Sequence, residues 1–226
     1  MHFLFSTLLT KVKSLFYPLF VFLSLGRVKL DSLSAYHKRN YGVPSPKYVK
    51  ELVLLRWGGQ ATWIETGTAF GETTKILAEN SSYVFSIEPS KLLHETALKK
   101  LLGLPNVSLI FGTSEEKFGS LLSNLIDNAT LDISFWLDGH FSHGSTYLGK
   151  NETSIVSELA EISKVASKIS KITVLVDDVR CFRPTQPQWG NYPDLNFLVD
   201  WANSLGLFWT IEHDIFIATN RDISLT

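Results

Sequence analysis

The chain has 226 residues, 45% hydrophobic, 12% aromatic and 19% charged, which supplies the core of one packed domain and excludes the polar bias of a disordered protein. Its net charge of −1 hides a division: residues 1–50 carry eight Lys/Arg and one Asp, whereas residues 51–226 carry thirteen Lys/Arg and twenty-one Asp/Glu. A single cysteine, Cys181, excludes an internal disulfide framework and any cysteine-built metal site, which fits a reducing compartment such as the cytoplasm.

Residues 1–44 read as an apolar and basic arm. The uncharged run Ser14 to Gly26 is thirteen residues long and contains Pro18, short of the roughly 20 apolar residues that span a bilayer. Secretion is a poor fit as well, because Phe3 to Leu9 is already apolar and Leu23-Ser24-Leu25-Gly26 makes a weak cleavage site. Two readings stay open for residues 1–30: peripheral membrane contact, with Lys11, Lys13, Arg27 and Lys29 near anionic headgroups, or packing on protein, either this chain or a second copy in a homo-oligomer.

From Ser45 to the end the pattern alternates between helix and strand. Ser45-Pro46 signals the start of a lead-in helix that ends before Gly58-Gly59. Strand Ala61 to Glu65, helix Gly71 to Glu79, strand Tyr83 to Glu88 and helix Ser90 to Leu102 follow. The beat repeats in strand Val107 to Phe111, a helix Ser114 to Ile126 opened by a Thr113-x-x-Glu116 capping box, and strand Ile133 to Leu137. A polar loop leads to a helix over Ser154 to Ile169, strand Ile172 to Val176, a second loop and a helix over Asp194 to Ser204. Leu207 to Glu212 and Ile215 to Thr219 are separated only by His213-Asp214, so they form a hairpin. The expectation is an α/β fold: an open, doubly wound, seven-stranded and mostly parallel sheet whose last strand is antiparallel, with helices on both faces.

Ligands of such sheets bind beyond the carboxyl ends of the strands. Carboxylates stand at four of these ends, in Glu65-Thr66-Gly67, Glu88-Pro89, Asp138-Gly139-His140 and Asp177-Asp178, and a fifth end is Gly112-Thr113-Ser114. One such carboxylate is commonly a turn or capping residue; four together point to a site.

The turn from Glu65 to Thr74 contains Gly67-x-x-x-Gly71, which is neither the dinucleotide pattern nor a phosphate-binding loop with Gly-Lys-Ser/Thr. Glu65 and Glu72 make it a poor pyrophosphate site and a better one for a cationic or zwitterionic ligand, while Glu88 is placed to accept hydrogen bonds from a ribose. Here the chain resembles the class I S-adenosylmethionine-dependent methyltransferases, through Glu65-x-Gly67-x-x-x-Gly71 and through Glu88 at the end of the second strand. The resemblance covers residues 45–226 and implies a Rossmann-like catalytic domain. It implies further that Glu65, Gly67, Thr68 and Gly71 surround the methionine part, that Glu88 takes the ribose, and that Pro89, Thr113 and Ser114 lie against adenine. Thr73, Asp138 and Gly139 complete the implied cofactor set.

Asp138 and Asp177-Asp178 end neighbouring strands, close enough to converge on one ion, and three oxygen ligands suit Mg²⁺. The trio resembles that of metal-dependent macrolide-sugar O-methyltransferases; the rival reading makes these aspartates purely structural. In the loop that follows Asp138, His140 is the first choice of catalytic base and His143 the second. Arg180, Arg183, Trp189 and Tyr192 are expected to shape an acceptor pocket. The resemblance thus implies methyl transfer from S-adenosylmethionine to a hydroxyl of a sugar, glycan precursor or other small acceptor, with Mg²⁺ assistance, in the cytoplasm or at the membrane surface. An acidic catalytic part without a basic stripe argues against nucleic acid as partner. Two alternatives stay open, a non-catalytic nucleoside or nucleotide-sugar binding module at a membrane and a metal-assisted hydrolase on the same doubly wound fold.

Overall fold

The computed structural model describes residues 32–39, 43–139, 153–183 and 192–222. The chain divides into two compact units, Met1–Tyr48 and Val49–Thr226. In the first, residues 32–38 are helical (α1). Among the described residues no helix is long and apolar enough to cross a membrane, and the apolar arm of residues 1–31 lies outside them.

The second unit carries a seven-stranded sheet. Its elements run α2 (Lys47–Gly58), β1 (Thr62–Thr66), α3 (Glu72–Glu79), β2 (Tyr83–Glu88), α4 (Lys91–Lys100), β3 (Val107–Phe111), α5 (Ser114–Asp127) and β4 (Asp132–Leu137), then α6 (Ile155–Val165), β5 (Lys171–Val176), α7 (Leu195–Ser204), β6 (Phe208–Glu212) and β7 (Ile215–Thr219). Strand order is β3-β2-β1-β4-β5-β7-β6, and only β7 runs antiparallel to its neighbours. The doubly wound, mostly parallel architecture expected from the alternating pattern is therefore present. The order reverses between β1 and β4, so the loops after these two strands flank the crevice where such sheets take ligands.

Successive residues of a strand face opposite sides of the sheet, and the core follows that rule. Ile64, Phe135 and Val174 join Phe118 of α5 and Leu159 of α6 on one side; Trp63, Trp136 and Leu175 join Leu54 and Trp57 of α2 on the other. Helix α2 buries Val49, Val53, Leu54 and Trp57, a stripe at three- and four-residue spacing. Its C-terminal carbonyls are tied to the start of the sheet, where Ser134 Oγ donates to Gly58 O at 2.7 Å and Thr173 Oγ1 to Trp57 O at 3.2 Å. The eight residues from Gly58 back to Lys50 rise ~12 Å, and the four from Ser134 to Asp138 extend ~13 Å. A helix anchored at the bottom of the sheet thus brings Lys50 level with the strand ends.

Two local expectations need correction. Helix α5 begins after Thr113, but the Thr113 side chain makes no cap; the Glu116 N–H donates to the Thr113 carbonyl at 3.2 Å, so backbone takes the donor that the hydroxyl of a capping box would have taken. The helix expected to reach Ile169 ends at Val165 and tightens into a 3-10 turn over Ala166–Lys168.

Gly58 sits against β1: a Cβ there would fall 1.8 Å from Cζ2 of Trp63, which the buried ring cannot vacate. Gly58→Ala is expected to lower stability by about 1–3 kcal/mol through overpacking, read as a lower urea midpoint at unchanged slope. An unchanged midpoint would show that α2 does not depend on this contact.

Candidate active site

The turn after β1 rests on the end of β4. Gly67 has φ +87°, and a Cβ there would lie 2.6 Å from the Asp138 carbonyl oxygen, so both conformation and space require glycine. Gly67, expected to let a ligand approach the backbone, is constrained most directly by this backbone-to-backbone contact at the crevice. Thr68 is buried, its hydroxyl hydrogen-bonded to that of Ser86 on β2. Ala69, a non-glycine residue with φ +48°, donates its N–H to Glu88 Oε2 at 2.8 Å, and Ser90 N–H donates to Glu88 Oε1 at the same distance. Glu88 thus pins the β1 turn to the β2 end. Burial raises the Glu88 pKa, against the pull of these two amides.

Glu65 is fully buried and faces α3: Thr74 and Ser86 each donate a hydroxyl to its Oε2 at 2.6 Å. Thr73, the neighbour assigned from sequence, is half-exposed; Thr74 is the residue that turns inward. Glu65 Oε1 is buried with no hydrogen-bond partner among the described residues. Loss of water on burial pushes the Glu65 pKa up to about 8, against the Ser86 and Thr74 hydrogen bonds and with help from the charges of Asp138 and Glu88. On the other face of β1, Thr66 points toward Glu158 of α6, which no sequence signal distinguished from an ordinary first-turn glutamate. Burial pushes Glu158 up to about 7, opposed first by Ser154, which donates to Glu158 Oε1 at 2.6 Å, and by the nearby hydroxyls of Ser114 and Thr66. Ser154 Oγ also contacts the Gly139 carbonyl at 3.2 Å, so Glu158 is tied through Ser154 to the end of β4. Of the residues assigned to the adenine side, Ser114 is buried in this network, while Pro89 and Thr113 are half-exposed.

Asp138, Asp177 and Asp178 do converge, with ligand oxygens within 4.8 Å of one another. Asp177 Oδ1 is buried with no hydrogen-bond partner among the described residues, which suits an oxygen donor for a hard cation. Two cations of the chain itself already stand at this cluster. Lys50 of α2 forms an ion pair with Asp177 Oδ2 and lies 3.9 Å from Asp178 Oδ1. Arg180, expected in an acceptor pocket, is half-buried and pairs with both Asp178 and Asp214, and its backbone N–H donates to Asp214 Oδ1 at 2.9 Å. Burial works to lower the Lys50 pKa, but the charges of Asp177, Asp138 and Asp178 outweigh it and raise it. Burial raises the Asp177 pKa, reinforced by Asp138 and Asp178 and opposed by Lys50. Asp178 holds φ +59° without being glycine, a strained conformation of the kind that clusters at functional sites.

A cleft beside this cluster is lined by Asp138, Gly139, Thr153, Glu158, Asp177, Phe182 and Tyr192 among others. Tyr192 packs edge-on against Phe182 with ring centroids 5.2 Å apart. Arg183 stands next to Phe182, while His140, His143 and Trp189 lie outside the described residues.

No protein-family model matches the chain. No curated protein matches it. Among solved structures, a candidate S-adenosylmethionine-dependent methyltransferase from Listeria monocytogenes is 14% identical over 78% of this chain and 97% of its own, with a TM-score of 0.51. An O-methyltransferase from Bacillus cereus, solved with S-adenosylhomocysteine, is 18% identical over 84% of this chain and 88% of its own, with a TM-score of 0.48. An rRNA methylase from Streptococcus thermophilus is 14% identical over 78% of this chain and 96% of its own, with a TM-score of 0.45. The shared property at these identities is the fold, a Rossmann-like sheet of the methyltransferase type.

A carboxyl whose pKa is higher folded than unfolded binds its proton more tightly in the native state, so its contribution to stability is complete below the ordinary carboxylate range and is lost as pH rises through the folded value. Stability should therefore fall between pH 5 and the folded value of about 8 for Glu65. Glu65→Gln, which stays neutral, should flatten this fall in a pH series of thermal unfolding midpoints; parallel curves for the two proteins would show that Glu65 does not bury a proton.

Proposed function

We propose that the chain is an S-adenosylmethionine-dependent methyltransferase that acts on a hydroxyl of a sugar or another small hydroxylated acceptor with Mg²⁺ assistance. The observation that carries this reading is the pair of buried carboxylates around the β1 turn, Glu65 with an unsatisfied Oε1 and Glu88 locked against Ala69 and Ser90. Carboxyls at a strand-to-helix turn disfavour a pyrophosphate, and a bound cation would favour loss of the proton that burial leaves on Glu65, so the site suits a cationic nucleoside. S-adenosylmethionine supplies, when bound, a methyl group on a positively charged sulfur and an amino group of the same sign.

In this reading Glu65 offers Oε1 to the amino group, and Glu88 uses its remaining lone pairs for the ribose hydroxyls while its amide bonds hold the turn in place. Ser114, buried near Glu158, borders the adenine side with Pro89 and Thr113. Thr68, Gly71, Thr73 and Gly139 complete the cofactor surroundings. Asp138, Asp177 and Asp178 are the residues that would hold a divalent cation, which lowers the pKa of a hydroxyl bound to it. Methyl transfer to oxygen requires that the hydroxyl proton leave, and His140, with His143 as second choice, is the proposed base. Positioning and electrostatics, rather than covalent chemistry by the protein, carry the rate. The acceptor class is drawn from the acidic character of residues 51–226 and from the aromatic and polar cleft beside Asp138.

Isothermal titration with S-adenosylmethionine tests the cofactor directly: binding is expected, and its absence with purified protein removes the proposal. Glu88→Ala should weaken binding by about tenfold or more, since both a charged acceptor and the tether of Ala69 are lost; equal affinity would place the ribose elsewhere. Asp177→Asn should lower turnover and its dependence on Mg²⁺ together, in an assay of S-adenosylhomocysteine release over a panel of sugar acceptors. Turnover indifferent to chelator in the parent protein would reject the metal.

A further inference from the structure

The cation that fills the aspartate cluster belongs to the chain itself. Lys50 reaches between the strand ends from α2, pairs with Asp177 Oδ2 and stands 3.9 Å from Asp178 Oδ1, within a cluster whose ligand oxygens lie 4.8 Å or less apart. A divalent ion bound to these oxygens at ~2.1 Å would need the volume that the ammonium occupies. The two cations of the cluster differ in how firmly they are held. Arg180 is 10% exposed, bridges Asp178 and Asp214, and anchors its backbone N–H on Asp214 as well. Lys50 is 21% exposed and ends a flexible four-carbon stem, so it can withdraw along α2 without disturbing the backbone. Lys50 and Arg180 face the carboxylates of Asp177, Asp178 and Asp214, and among the described residues Asp177 Oδ1 is left without a hydrogen-bond partner. Removing Lys50 without a substitute would take from the buried Asp177 the cation that it is paired with.

We propose that Lys50 is a tethered counter-ion that holds the Asp138–Asp177–Asp178 cluster when no divalent cation is bound, and that the ammonium and a divalent cation exclude one another there. The inference rests on the metal part of the function proposed above and adds its regulation: metal affinity is set by a competing side chain of the same chain. Access of metal to the cluster then means expulsion of Lys50, and neutralising Lys50 in place of metal keeps the strand ends together.

The test is metal binding by the full-length protein with Mn²⁺ as probe, followed through the electron paramagnetic resonance signal of free Mn²⁺. Lys50→Met should bind Mn²⁺ roughly tenfold or more tightly than the parent, because the competitor is gone, whereas Lys50→Arg, which keeps a cation, should bind no better than the parent. Equal or weaker binding by Lys50→Met overturns the inference, as does the absence of binding by both proteins. Should Lys50→Met fail to fold, the parent protein supplies the second measurement: acetylation of Lys50 by an amine reagent, read by mass spectrometry, should rise several-fold at Mn²⁺ concentrations that saturate the site, while Lys91, 80% exposed, is unaffected. Unchanged labelling of Lys50 at saturation means that metal does not displace it, which is fatal to the proposal. Neither readout involves S-adenosylmethionine, so the titration with that cofactor separates a failure of the methyltransferase reading from a failure of this one.

Discussion

The alternation of side chains along a strand decides which carboxylates of this chain can meet. On β1 and its continuation, Trp63 and Glu65 face α2 and α3, while Ile64 and Thr66 face α5 and α6. On β4 and β5 the same rule sends Trp136 and Leu175 toward α2, and extending it by two residues sends Asp138 and Asp177 the same way. Since β1, β4 and β5 are adjacent and in register, residues at matching positions gather at one corner of the sheet. A one-residue slip in any of these strands would turn its carboxylate to the opposite face and disperse the cluster.

Gathering carboxylates in a buried corner is unfavourable unless each finds a partner, and the partners found differ in kind. Glu88 meets two backbone amides, Glu65 two hydroxyls at Oε2 together with a raised pKa, Glu158 the Ser154 hydroxyl, and Asp177, Asp178 and Asp214 the cationic ends of Lys50 and Arg180. Amides fix geometry: they hold Ala69 in a left-handed conformation and the β1 turn against β2. Hydroxyls leave the charge adjustable, because a carboxyl near neutrality can gain or lose a proton without rearrangement. Ammonium and guanidinium neutralise charge outright, yet only the guanidinium locks its fork in a fixed geometry.

Strand ends were legible in the sequence because apolar runs stop where carboxylates start, as in Leu137-Asp138 and Val176-Asp177-Asp178, and the hairpin was legible because two residues separate its strands. Partners far along the chain were not. Lys50 meets a residue 127 positions away, and nothing about a lysine in a helical stripe foretells which strand end the helix will reach; that depended on Ser134 and Thr173 fastening the other end of α2. Arg180 looked like an anion-binding residue in a loop until Asp214, 34 residues on, proved to be its partner. Glu158 and Thr74 looked like ordinary residues of a first helical turn; what sets them apart is burial, which the sequence of a single helix turn does not encode. Thr113-x-x-Glu116 erred in the opposite sense, a local pattern that the backbone satisfied by itself.

Two cations at one acidic corner permit a division of labour that one could not. Arg180 closes a loop: Asp178 before it and Asp214 in the β6–β7 hairpin are brought together through the same guanidinium, so the end of β5 is fixed to the adjacent β7 hairpin. Such a bridge has to stay in place, and its partners are 4% and 3% exposed. Lys50 closes nothing of that kind; α2 is already held by its apolar stripe and by the two hydroxyls at its C-terminus, so the helix does not need the ion pair in order to dock. A charge that contributes little to docking the element that carries it, and that sits among carboxylates converging from two strands, is the component of this corner free to respond to what binds there.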